Sequence, residues 1–138
     1  MEPAVEIALA SYLGAHPRLK SLVGTRIYPE VLPQAPTYPA IVYQRISTTR
    51  LRALDGPVGL ARPRIQLDCY GATYAEAKEI AANLRLALDG KSFEQNFVRV
   101  QAAFLEDERD ILETEGRDIS DERRVSLDFF VWHEEAKE

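Results

Sequence analysis

The chain has one cysteine, Cys69, two histidines, His16 and His133, and no apolar run of membrane-spanning length. A single cysteine excludes a disulfide within one chain, as expected for a reducing compartment. Two histidines near opposite ends and one thiol in an apolar pattern do not form a zinc signature. Gly56 and Gly59 lack the lysine and strand context of a phosphate loop. No nucleophile–base pair stands out, so neither an enzyme nor a cofactor is expected. Positive charge is also short: the net charge is −5, the wrong sign for general nucleic-acid binding, although a local basic patch remains compatible. The segment MEPAVEIALASYLGAHP has no basic start and carries Glu6 in its apolar part. It makes a poor signal peptide, so synthesis and use in the cytoplasm are expected.

What is present fits a single domain over residues 1–138, long enough for one core and too short for two. The most informative stretch is RIQLDCYGATYAEAKEIAANLRLAL, Arg64 to Leu88. Ile65, Leu67 and Cys69 alternate with polar residues, as a half-buried strand requires. Tyr74, Ala77, Ile80, Ala81, Leu84 and Leu88 then recur at helical spacing. Thr73 and Glu76 form a capping box at the switch, and Gly90 closes the helix in a left-handed conformation.

Around this block the pattern predicts a helix from Pro3 to Leu13, ended by Gly14, and one further helical turn over Pro17–Val23. Residues 24–39 carry Pro29, Pro33, Pro36 and Pro39 and read as an extended surface arm or a long loop. Strands are predicted over Ala40–Thr49, Arg64–Tyr70, Asn96–Leu105 and Ser120–Trp132. Arg50–Arg62 reads as a loop holding the Asp55-Gly56-Pro57 turn signal. Glu106–Asp118 reads as an acidic loop and residues 133–138 as a frayed tail. The order helix-strand-strand-helix-strand-strand predicts an α+β fold: a four-stranded, mainly antiparallel sheet with two helices packed on one face.

One sheet face would then hold Ile65, Leu67, Cys69, Val125, Leu127, Phe129 and Val131, with Val98, Val100, Ala102 and Phe104. The other would carry Arg64, Gln66, Asp68, Tyr70, Arg99, Gln101, Arg124, Ser126, Asp128, Phe130 and Trp132. Arginine, aspartate and large aromatics together suit a protein–protein interface. An ordinary solvated face, or aromatics covered by the proline-rich arm, are the alternatives. Asp68 and Asp128 on neighbouring strands, beside Arg64, Arg99 and Arg124, predict an ion-pair network rather than an acid–base pair. Of thirteen residues in Glu106–Asp118, seven are acidic and two are arginine. Calcium-loop spacing is missing, which leaves a solvated loop as the plain reading. Ile111 and Leu112 in its middle suggest docking, with Glu108 and Asp110, onto a basic neighbour. Arg45, Arg50, Arg52, Arg62 and Arg64 gather around the first hairpin and suit an acidic-to-basic contact between subunits. Head-to-tail contacts of that kind close into rings when the rotation permits.

Three segments, YPAIVYQ, LDGPVGLARPRIQLDCYGATYAEAKEIAANLRLAL and GRDIS…RRVSLDFFVW, in that order, resemble the tail-completion, or tail-terminator, proteins of long-tailed bacteriophages and prophages. The resemblance spans Tyr38 to Trp132. Arg117-Asp118-Ile119 departs from it in lacking an aromatic. The resemblance implies an α+β monomer that assembles as a hexameric ring on a finished tail tube. Such a ring stops tube growth and joins the head connector. It implies as partners other copies of the chain, the tail tube protein and the head connector, with no membrane and with DNA only as passing cargo. It implies assembly in the host cytoplasm and residence in the virion tail. Two other readings stay open: an oligomeric small-molecule-binding regulatory domain, and a neck or connector protein of the same particle.

Overall fold

The computed structural model describes residues 4–111 and 123–135. Within them lie helices α1 (Val5–Ala15), α2 (Pro17–Val23) and α3 (Tyr74–Leu88) and strands β1 (Ile27–Pro29), β2 (Ala40–Ala53), β3 (Gly56–Gly71), β4 (Phe93–Gln95), β5 (Val98–Ile111) and β6 (Arg123–Glu134). The sheet runs β1-β2-β3-β6-β5-β4. β1 lies parallel to β2, and every other pair is antiparallel. The class is α+β as expected, but the four-stranded sheet and two helices are corrected to a six-stranded mixed sheet with three helices.

Each addition has a local cause. β1 begins the proline-rich arm because Arg26 latches it: its Nε donates to Pro39 O at 2.8 Å, and its own carbonyl accepts from Ile41 N at 2.9 Å. Pro29 ends β1, and Glu30 beyond it has a left-handed φ of 67°. β4 forms because Asn96 and Phe97 both take positive φ, 50° and 64°, in the two-residue turn between Gln95 and Val98. Paired positive φ gives a hairpin turn whose twist matches its strands. Pro17 opens α2 as a helix of its own, while Gly14 lies inside α1 rather than ending it.

The expected loop over Arg50–Arg62 is strand on both sides of a tight turn at Leu54-Asp55, with Ala53 opposite Gly56. The expected acidic loop begins as strand, since β5 continues to Ile111 beside β6. Its acids have partners that solvent loops lack. Lys78 Nζ lies 3.1 Å from Asp110 and 3.9 Å from Glu108, and the Tyr74 hydroxyl donates to Asp110 at 2.6 Å. Leu112 and the rest of that segment, through Asp118, lie outside the described residues. His133 and Glu134 belong to β6, and His133 is buried, so the predicted tail starts too early.

All three helices cover one sheet face, and the core between them is apolar, with Leu9, Leu13, Leu19, Ile80, Leu84 and Leu88 against Ile41, Ile65, Leu67, Leu127 and Phe129. Tyr12 stacks on Phe93 at 3.8 Å between ring centroids and donates its hydroxyl to Ala87 O, which ties α1 to β4 and α3. Cys69 is fully buried there, and burial pushes its thiol pKa far up. The Thr73 hydroxyl accepts from Glu76 N at 3.1 Å, while the Glu76 carboxylate accepts from Ala72 N at 2.8 Å, one residue before the expected cap nitrogen. Gly90 takes φ 76° and donates to Ala103 O, so the end of α3 is pinned to β5.

Candidate functional site

The sheet face opposite the helices carries the site. Strand register decides which side chains meet there. β3 and β6 place Arg64 opposite Phe130, Gln66 opposite Asp128, Asp68 opposite Ser126 and Tyr70 opposite Arg124. Alternation then puts all eight on the outer side, because Ile65, Leu67, Cys69, Val125, Leu127 and Phe129 between them are buried under the helices. β5 adds Phe104 opposite Phe130, Ala102 opposite Trp132 and Asp107 opposite Asp128.

Arg64 and Asp128 form the centre. Arg64 donates from Nη2 at 2.7 Å and from Nε at 3.1 Å to one Asp128 oxygen. Arg109 approaches the same carboxylate at 3.2 Å. The hydrogen bonds that Arg109 donates to Asp128 and to Asp107 raise its pKa further, so the guanidinium stays charged. Asp68 accepts from Gln66 Nε2 at 3.1 Å and lies 3.7 Å from Arg124, which donates to the Tyr70 hydroxyl at 3.0 Å. Each carboxylate therefore lies within ion-pair distance of arginine. That is an ion-pair lattice and a poor proton shuttle. Among the described residues no group of three His, Cys, Asp or Glu side chains converges as a metal site.

Above the lattice lies an aromatic patch. The Arg62 guanidinium sits 4.4 Å over the Phe130 ring and 5.5 Å from Trp132, and Arg64 lies 5.6 Å from Phe130. These are cation–π contacts. β1, the first part of the arm, joins at the far side of β2, away from β6. Phe104 beside them is 49% exposed.

The structure thus brings together Arg64, Asp68, Arg124, Asp128, Phe130 and Trp132 from the expected set. It takes Arg99 away to Glu94 and Glu134, at 3.5 and 3.6 Å. Arg45 pairs with Glu6 of α1 at 2.6 Å, and Arg50 with Glu135 at 2.5 Å. Arg52 stands exposed near the hairpin tip. Glu108 and Asp110 turn to the helix side, where Lys78 and the Tyr74 hydroxyl hold the Asp110 pKa below its ordinary range. Ile111 is half-buried at the end of β5. Arg62, expected in the arginine cluster of the first hairpin, instead stacks on Phe130 and Trp132, and the pattern does not mark Phe104 or Arg109 as part of this face. Phe104 was expected inside, but the register shift between Val100 and Ala102 reverses the alternation, and Ala103 takes the core position. Arg109 was hidden in the supposed loop.

Comparison with known proteins follows the same outline. A chain in the virion of a native gene transfer agent particle superposes with a TM-score of 0.76 at 23% identity, covering 95% of each chain; the likeness is one of fold. No curated protein matches the sequence. The family described as tail completion protein gp17 matches residues 7–134. That span takes in all three helices but the first two residues of α1, and every strand, so the chain belongs to the tail completion protein gp17 family.

Proposed function

We propose that this chain is a structural protein of a phage or phage-like virion that caps the tail tube as a hexameric ring. The ring ends tube elongation and forms the surface that receives the head connector. Family membership over residues 7–134 carries the proposal, and the likeness to a chain of a gene transfer agent virion supports it. The outer sheet face suits such work. Phe104, Phe130 and Trp132 supply contact area, and the arginine–aspartate lattice sets register more than affinity. No catalytic step is needed, since capping is a matter of geometry and binding. Partners are other copies of the chain, the tail tube protein and the head connector, met in the host cytoplasm and kept in the virion tail. The acid-rich composition favours a channel wall that repels passing DNA.

Electron microscopy of an induced lysate lacking the gene tests the proposal. Headless tails of uncontrolled length beside unattached filled heads are expected. Tails of normal length that fail to join heads would reassign the chain to the neck. Normal infectious particles would overturn both roles.

A further inference from the structure

Two unpartnered features sit at opposite ends of β2. The first is the tip of the β2–β3 hairpin. β3 meets β6 only from Leu60 onward, so the turn around Leu54 projects past the rest of the sheet. It presents Leu51, Leu54 and Val58 at 39%, 110% and 41% exposure, an unusual concentration of apolar surface on a polar turn. Arg52 and Asp55 flank them, both exposed.

The second is a groove of about 610 Å³ between the start of α1, the end of β1 and β2, lined by Glu6, Ile7, Pro29, Val31, Tyr43 and Arg45 among others. It exists because Pro29 ends β1 and the left-handed Glu30 turns the chain off β2, which leaves the β2 edge beyond Tyr43 without a strand neighbour among the described residues. Ile7 and Val31 at its rim are 55% and 73% exposed. The Glu6–Arg45 pair stands in its wall, and Glu30 beside it is exposed.

We infer that the hairpin tip of one copy seats in this groove of the next copy. Chemistry matches on both counts. Apolar Leu51, Leu54 and Val58 meet Ile7, Pro29 and Val31, while Arg52 meets Glu30. A chain cannot satisfy itself in this way: from Gln44 to Leu54 an extended strand spans about 33 Å at its normal rise of roughly 3.3 Å per residue. The occupant must be a second molecule, and tip and groove are different surfaces. The contact is therefore heterologous and repeats around a ring if the rotation closes. The inference rests on the proposed self-assembly and adds which surfaces meet.

The test uses two variants of the full chain, Leu54→Cys and Val31→Cys, with Cys69 inert in the core. Oxidation of a mixture should give a mixed disulfide dimer, and each variant alone should give none. The double variant should give a ladder of linked copies. Arg52→Glu in the Leu54→Cys chain should cut the yield, and Glu30→Arg in the Val31→Cys chain should restore it. Loss without restoration overturns the charge match. Equal yields of homodimer from Leu54→Cys alone would mean tip-to-tip contact and overturn the inference. So would no disulfide in the mixture at the highest soluble concentration, or a small molecule whose stabilising effect Ile7→Asp abolishes while no mixed disulfide forms. The readout is independent of tails: mixed disulfides from a chain whose deletion leaves normal particles would keep this contact and reject the capping role.

Discussion

Arg64 holds Asp128 across the β3–β6 ladder through two nitrogens on one oxygen, at 2.7 and 3.1 Å, and the Asp128 side chain is only 5% exposed. Arg109 closes on the same carboxylate from β5. Asp128→Ala leaves two guanidinium groups facing each other over a gap. Breaking a buried charge pair from one side costs more than the pair contributes. Both arginines are about one-third exposed and can regain water, so the expected loss is about 2 kcal/mol in urea unfolding. Arg64→Ala should cost less, because Arg109 still pairs with Asp128. Equal losses from the two would show that Arg109 contributes nothing to holding the carboxylate.

Phe104 makes the cleaner probe of assembly. It stands half-exposed beside Phe130, outside the core. Phe104→Ser should change unfolding free energy by no more than about 0.5 kcal/mol, as surface substitutions do. If the outer face receives a partner, the same substitution should abolish complementation of a deletion lysate. Full complementation by a folded Phe104→Ser chain would remove this face from the partner surface.

How far the fold could be read depends on where the alternation is unbroken. Ile65–Cys69, Val125–Val131 and the α3 stripe from Ala77 to Leu88 keep one period and fall on the predicted face, while Tyr74, at the start of the expected stripe, is 51% exposed. Failures cluster where one residue is inserted. The register shift between Val100 and Ala102 sent Phe104 outward and Ala103 inward, and nothing in single-residue polarity marks such a bulge. The turn at Asn96-Phe97 was invisible because Phe holds a positive φ that Gly normally supplies there. Acidity hid the end of β5, since Glu108 and Asp110 look solvated until Lys78 and Tyr74 are brought beside them by α3. The Arg64–Asp128 and Arg124–Asp68 pairs were legible because they needed only adjacency of two well-patterned strands.

Gly71 closes β3 directly against the first turn of α3. A Cβ there would lie 2.5 Å from Ala77 N and 2.9 Å from Thr73 O, both backbone atoms that cannot rotate away. Gly71→Ala must lift α3 off the sheet edge, at an expected cost of roughly 1–3 kcal/mol. Thr73→Ala loses only the cap bond to Glu76 N, about 1 kcal/mol. Since the clash displaces the same turn that the cap fixes, the two losses should sum to more than the double variant shows. Strict additivity in thermal unfolding would mean that α3 keeps its place in Gly71→Ala.

Two carboxylates carry an acid-side contribution to stability. The Arg50 guanidinium donates to both Glu135 oxygens and holds its pKa below the ordinary value of 4.5. Hydrogen bonds from Tyr74, then Lys78, hold Asp110 below 3.8. A depressed carboxyl pKa means that the unfolded chain binds the proton first, so this contribution is complete above the ordinary pKa and disappears as pH falls through the folded value. Stability should therefore decline as pH drops below about 4.5, through Glu135 first and Asp110 next. Because Arg50, Lys78 and Asp110 all face solvent in good part, the effect is small and screened by salt. Arg50→Ala should shift the Glu135 titration upward in carbon-detected NMR and leave Asp110 where it was. Lys78→Ala should shift Asp110 upward only in part, since the Tyr74 hydroxyl remains. If Glu135 titrates unchanged in Arg50→Ala, the 2.5 Å ion pair does not persist in solution, and the link it makes between β2 and the end of β6 is absent.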